Sequence, residues 1–249
     1  MRYPPTSPVK TPRTLHWLRV LAIATTLTTS PLSAKPITFT LTPAQDALLR
    51  SDNASTENTR ALAVSNRGPE YRRRTLLQFN PATLASAQGF VKAAALKLVP
   101  SDLIGPASTT PVTIALWGVV YPNVPPWSED RVLWNTAPLG AAELETSTQT
   151  PGAIRLGATE FDSSNDQALR DRRPVVIDSS QLAAYLNWAL ARPSPSPLAG
   201  IPAIKTALPH ITLIVTSEAE AKSPGVFFFS KDNRPEAREV YPVLEVTIE

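Results

Sequence analysis

Twenty-six of the chain's 249 residues are proline and only nine are glycine. Proline has no N–H for a helix interior, and its ring clashes with the preceding turn. Spread along the whole chain, it favours short extended segments joined by proline turns over long helices. The apolar pattern agrees. Ile37-Thr38-Phe39-Thr40-Leu41 alternates, as does Val112-Thr113-Ile114-Ala115-Leu116-Trp117. Leu77 and Phe79 share a face, as do Ala94, Leu96 and Leu98, and again Leu244, Val246 and Ile248. Short apolar runs at 61–64, 211–215 and 226–229 read as strands buried on at least one face. Many short strands at this spacing predict an all-β fold, a two-sheet antiparallel, jelly-roll-like β-sandwich.

One helix is expected near residues 179–191. Asp178-Ser179-Ser180 offers cap oxygens, and Leu182, Tyr185, Leu186 and Ala189 fall on one stripe. It ends before Pro193-Ser194-Pro195-Ser196-Pro197, so 192–209 reads as an exposed proline-rich loop. Residues 140–173 read as long loops around one weak strand near 153–156.

The first 34 residues have the form of a secretory signal. They carry Arg2, Lys10, Arg13 and Arg19 and no acid, then the apolar run Val20–Leu27, then Leu32-Ser33-Ala34. The expectation is a leader at 1–34 and a single domain over 35–249, exported to the periplasm, the cell surface or the medium. The whole chain has 24 basic and 21 acidic residues, and losing the leader's four basic residues leaves 20 against 21. A near-neutral mature chain argues against a nucleic-acid partner. No later segment has the apolar length of a membrane span. The absence of cysteine rules out thiol nucleophiles and disulfides. His210 is the one histidine after the leader, so a histidine-rich metal site is excluded.

The most specific signature is Trp127-Ser128-Glu129-Asp130-Arg131-Val132-Leu133-Trp134-Asn135-Thr136-Ala137-Pro138. Upstream stand Arg74-Thr75-Leu76-Leu77-Gln78-Phe79-Asn80 and Ala94-x-Leu96-x-Leu98. Downstream come Val175-Val176-Ile177-Asp178, a helix through Trp188, Phe229-Ser230, and Pro242-Val243-Leu244-Glu245-Val246. This order, running over 44–248, resembles the DNRLRE-domain family, secreted bacterial β-sandwich modules akin to carbohydrate-binding modules of the alginate-binding type. The sequence departs from the family pattern at Asn80, at Leu133 and at Ser230-Lys231-Asp232, where a shorter acid closes the last motif. The resemblance implies a two-sheet sandwich with a binding role.

Several residues are candidates for that role, each with a bland alternative. Arg72 and Arg74 share the strand face opposite Leu77 and Phe79, where they meet carboxylates of a ligand in a groove or form a solvated edge. Trp127 and Tyr121 are candidate aromatic contacts for a sugar face, and Trp127 and Trp134 can equally plug the sandwich. Asp46 and Asp52, with Asn53 and Glu57, offer oxygen ligands for a structural calcium ion, or serve turns and caps. No cofactor is required by any motif. Glu129 and Asp130 are adjacent on an extended segment and point apart, which does not suit a glycosidase pair. His210 with Ser217 lacks a nucleophile elbow. Asn53-Ala54-Ser55 matches a glycosylation sequon.

The expected function is a secreted, non-catalytic module that binds a polysaccharide, with one containing uronic acids as the leading class. The alternatives are a structural or adhesive envelope or matrix protein, with 192–209 as a contact segment, and a small β-sandwich polysaccharide lyase or hydrolase.

Overall fold

The computed structural model describes residues 35–54, 61–121, 124–140, 142–145, 150–164, 166–218, 223–232 and 240–249. The leader expected at 1–34 lies outside them, as do Glu57 and Ser55. The described residues form an all-β, jelly-roll-like sandwich of two sheets. The smaller sheet runs β1 (Ile37–Leu41), β12 (Val243–Ile248), β5 (Val91–Leu98) and β9 (Val175–Asp178). The larger runs β6 (Pro100–Ile104), β11 (Gly225–Phe229), β3 (Ala61–Asn66), β4 (Arg72–Phe79), β10 (Ile211–Ser217), β7 (Val112–Val119) and β8 (Ala153–Phe161), with β2 (Gln45–Arg50) also paired to β4. Every pairing is antiparallel.

The facing sides of the sheets enclose the main core. Leu96, Leu98, Leu244 and Val246 from one sheet meet Leu77, Phe79, Leu116, Leu213 and Val215 from the other. The expected helix is α3 (Ser180–Ala189), with Ser179 as its cap: its hydroxyl accepts from the Leu182 N–H. Two five-residue helices that the pattern did not suggest, α1 (Ala82–Ser86) and α2 (Asp166–Arg170), join it. Helix α3 is buried from Leu182 through Ala189, so it is part of the core and not a surface stripe. It ties the sheets together. The Tyr185 hydroxyl lies 3.0 Å from the Val119 carbonyl and 3.2 Å from that of Thr212, while the Asn187 amide pairs with both backbone groups of Val91. Gly118 permits this: a Cβ there would stand 2.7 Å from the Tyr185 ring.

The proline-rich 192–209 segment is the exposed loop expected over most of its length, but it is anchored to the core. Leu198 and Leu208 are buried, Trp188 donates to the Pro202 carbonyl, and the Leu208 N–H bonds Ala189. Strand β8 is longer than its sequence suggests, because it pairs with β7 from Val119↔Ala153 to Val112↔Phe161.

A second apolar cluster covers the outer face of the larger sheet. Leu49, Leu76, Trp117, Val119 and Ile214 point away from the main core and are covered by Trp127, Val132, Ala137 and Leu144. Residues 124–140 and 142–145 therefore form a third layer. Without it those side chains would form an exposed apolar patch of the kind monomers avoid.

Candidate functional site

The segment 124–145 decides where the candidate arginines go. Arg74 is 0% exposed. Its Nε and Nη2 donate to Glu145 at 2.6 and 2.7 Å, and its Nη1 and Nη2 donate to the carbonyls of Leu139, Gly140 and Ala142. A guanidinium has five N–H donors, and all five are engaged. Its Cζ lies 4.1 Å from the centre of the Trp134 ring. Arg72 does share its face, as expected, and is chelated by both oxygens of Glu143 at 2.8–2.9 Å, with Nε on Asn66. Both arginines fasten the cover layer, so the expectation that Arg74 meets a ligand is corrected: it has no donor left for one. Gly140 is required in that layer, since a Cβ there would sit 1.5 Å from the Trp134 carbonyl oxygen. Trp127 is 9% exposed and packs, as part of the cover, against the outer face of the larger sheet, which assigns it to the plug and not to the sugar platform.

The acidic candidates separate. Asp52 accepts from Nε and Nη2 of Arg50 and closes a local turn at the Ala54 N–H. Asp46, at the far end of β2, instead joins Glu129 and Asp232, whose ligand atoms lie within 4.8 Å of one another. The ammonium of Lys231 stands among these carboxylates, 2.9 Å from Glu129 and 2.8 Å from Asp232. Asp46 accepts from the Ser230 hydroxyl and the Lys231 N–H. Asp46 and Asp52 do not converge, so they do not form the expected calcium pair, and around Asp46 the Lys231 ammonium offsets one of three carboxylate charges. Lys231, at the variable middle position of Ser230-Lys231-Asp232, supplies that cation.

Burial pushes the Asp46 carboxyl up to about 6, against the lowering effect of its bonds to Lys231 and Ser230. The folded chain therefore holds a proton between about pH 4 and 6 that the unfolded chain releases. Stability from this group is fully present below about pH 4 and is lost as pH rises through about 6, by at most about 3 kcal/mol. Asp46→Asn should flatten that slope. Urea midpoints at pH 4.5 and 7 check it, and an unchanged slope in the variant would assign the pH dependence elsewhere.

Of the four ligand-binding candidates Arg72, Arg74, Tyr121 and Trp127, Tyr121 is the most open to solvent, at 44% exposure. It lines a cleft of about 320 Å³ with Gln78, Val124, Pro126, Leu208, His210 and Thr212. Register places Gln78 opposite Thr212 on neighbouring strands. Gln78 is held by Gln45, whose amide donates to its Oε1. Thr212 is 2% exposed, and its hydroxyl has no hydrogen-bond partner among the described residues. The Tyr121 hydroxyl donates to the Pro151 carbonyl, which fixes the ring. The cleft thus combines an aromatic wall, an amide, a hydroxyl and an imidazole, and no carboxylate lines it. Gln78 and Thr212 escaped the sequence reading because each looks like an ordinary strand residue. His210 entered only as a catalytic candidate. It begins the approach to β10 while Ser217 ends that strand, seven residues and roughly 23 Å away at strand rise, so the two form no dyad. Glu129 faces Lys231, while Asp130 is exposed beside Arg131, so these acids form no pair either. Asn53 of the sequon accepts from the Asn135 N–H.

Residues 37–155, a little under half the chain, match the model of carbohydrate-binding module family 96. The match agrees with the resemblance drawn from motifs in pointing to a carbohydrate-binding module. No curated protein sequence matches the chain. Among solved structures, that of Cocksfoot mottle virus aligns over 98% of this chain and 95% of its own at 9% identity, with a TM-score of 0.27, too slight a likeness to carry an argument. No helix among the described residues is long and apolar enough to cross a membrane.

Proposed function

We propose that this protein is a non-catalytic polysaccharide-binding module, exported behind the leader at 1–34, whose natural ligand is an acidic polysaccharide. The similarity of residues 37–155 to a carbohydrate-binding module family carries the reading. The Tyr121 cleft supplies its chemistry. A fixed, half-exposed aromatic ring offers an apolar face for the C–H side of a sugar, and the Gln78 amide and the His210 imidazole offer the few placed polar groups that orient a ligand. The lack of a lining carboxylate leaves the cleft free of like charge toward a uronate. No carboxylate pair spans it, as glycoside cleavage would need.

Affinity electrophoresis through gels containing alginate, polygalacturonate or neutral glucans tests the reading. The wild-type protein should be retarded by at least one acidic polymer. Tyr121→Ala should weaken that retardation tenfold to a hundredfold, about 1.4–2.8 kcal/mol, while leaving the melting temperature unchanged because the ring is exposed. Unretarded migration in every gel would remove the proposal. Release of unsaturated uronate from any of these polymers would replace it with a lyase.

A further inference from the structure

Arg73, between the two arginines that hold the cover layer, stands in register with Ser65 of β3. Its Cζ lies 5.4 Å from the centre of the Phe227 ring. Phe229, two residues on, carries Arg172 at the same 5.4 Å. Residues i and i+2 of a strand share a face, roughly 7 Å apart. The face is not the core side, because Val226 and Phe228 occupy that. Among the described residues neither Arg73 nor Arg172 makes an ion pair or a side-chain hydrogen bond, in contrast to the fully engaged Arg74. A guanidinium lying over a ring is held in place while its N–H edge stays available for a planar anion.

Two further observations mark the face. Arg172 has a left-handed backbone, φ 51°, at the position after α2 where glycine is usual. The motif is closed by the Arg173 N–H on Ala168 and the Arg172 N–H on Leu169. A side chain in that conformation is strained, and such strain persists where the surroundings impose it, often at binding sites. Around Arg73 the charge is concentrated: burial, and the neighbouring Arg50 and Arg67, push its guanidinium below its usual range, with Asp52 opposing. Asp102, opposite Phe227 on β6, is the acid nearest in register, and its Oδ1 accepts from the Leu103 N–H.

We propose that the Arg73–Phe227 and Arg172–Phe229 pairs form a second binding surface that takes carboxylate groups of a uronic-acid polymer, apart from the Tyr121 cleft. The polymer identity rests on the polysaccharide reading above; the anion site rests on the two arginines.

The test compares polygalacturonate with its fully methyl-esterified form, a neutral glucan and polyglutamate, by affinity electrophoresis at low and at physiological salt. Arg73→Gln and Arg172→Gly should each weaken polygalacturonate binding about fivefold to tenfold and reduce its salt sensitivity. Esterification should have the same effect on the wild type. Arg172→Gly relieves the left-handed backbone, so it should melt no lower than wild type, which separates lost binding from lost folding. Tyr121→Ala should keep the salt-sensitive component. Wild-type affinity for polygalacturonate in both arginine variants overturns the proposal. Binding to neutral glucan alone overturns it and leaves the Tyr121 reading standing. Equal, arginine-dependent binding of polyglutamate overturns the sugar part and leaves a general polyanion face. Binding to no polymer overturns both.

Discussion

Replacing Arg74 with methionine should cost about 3–5 kcal/mol of stability, the usual loss when one partner of a buried ion pair is removed. The variant leaves Glu145 as an uncompensated charge with no exposure, and it strips the carbonyls of Leu139, Gly140 and Ala142 of their donor. Each unpaired buried group adds its desolvation cost. The double variant Arg74→Met, Glu145→Leu should lose less than the two single variants together, because it removes both charges at once. Urea midpoints measure this, and limited proteolysis in 134–145 reports whether the cover layer detaches first. A shift below about 0.5 kcal/mol for Arg74→Met would mean that the layer is held by its apolar contacts alone.

Trp117→Ala should cost a similar amount, about 3–5 kcal/mol, as expected for emptying a large buried aromatic site. Trp117 has no exposure and sits in the cluster between the larger sheet and its cover. Its indole Nε1 has no hydrogen-bond partner among the described residues. Trp117→Phe should therefore be far milder: it leaves a smaller cavity and removes an unpaired buried donor. Thermal or urea unfolding of both variants checks the ranking. Equal losses in the two would show that the indole nitrogen has a partner in solution.

The strands of the main core were legible because their alternation is local. Ile37–Leu41, Val91–Leu98 and Val243–Ile248 pair as their apolar faces suggest. Strands β2 and β6 were missed, and β9 entered only as a motif. In β2, Asp46 sits beside Ala47, Leu48 and Leu49, so the segment looks like a turn carrying ligand oxygens, although both of its faces are buried. In β6, Pro100 and Asp102 hide an edge strand, the place where a sheet tolerates proline. A signal for the third layer was present and unread. Ile114-Ala115-Leu116-Trp117 and Ile211–Val215 are nearly continuous apolar runs, which belong to strands covered on both faces and not on one.

The candidate site was legible only in part, and the arginine triplet shows why. That Arg72 and Arg74 share one face of β4 and Arg73 takes the other follows from the two-residue period of a strand. Whether a face meets water, a carboxylate or another layer of protein depends on segments far along the chain. Glu143 and Glu145, about seventy residues away, claimed the two arginines that seemed poised for a ligand. Phe227 and Phe229 came from β11, more than fifty residues away in each case, to lie beneath Arg73 and Arg172. Lys231 likewise reached Glu129 and Asp232 beside Asp46, where a metal ion was expected. Short-range patterning thus settled most strands of the main core and the faces their residues take. Long-range packing and charge pairing settled which polar groups are satisfied within the protein and which remain open to a partner.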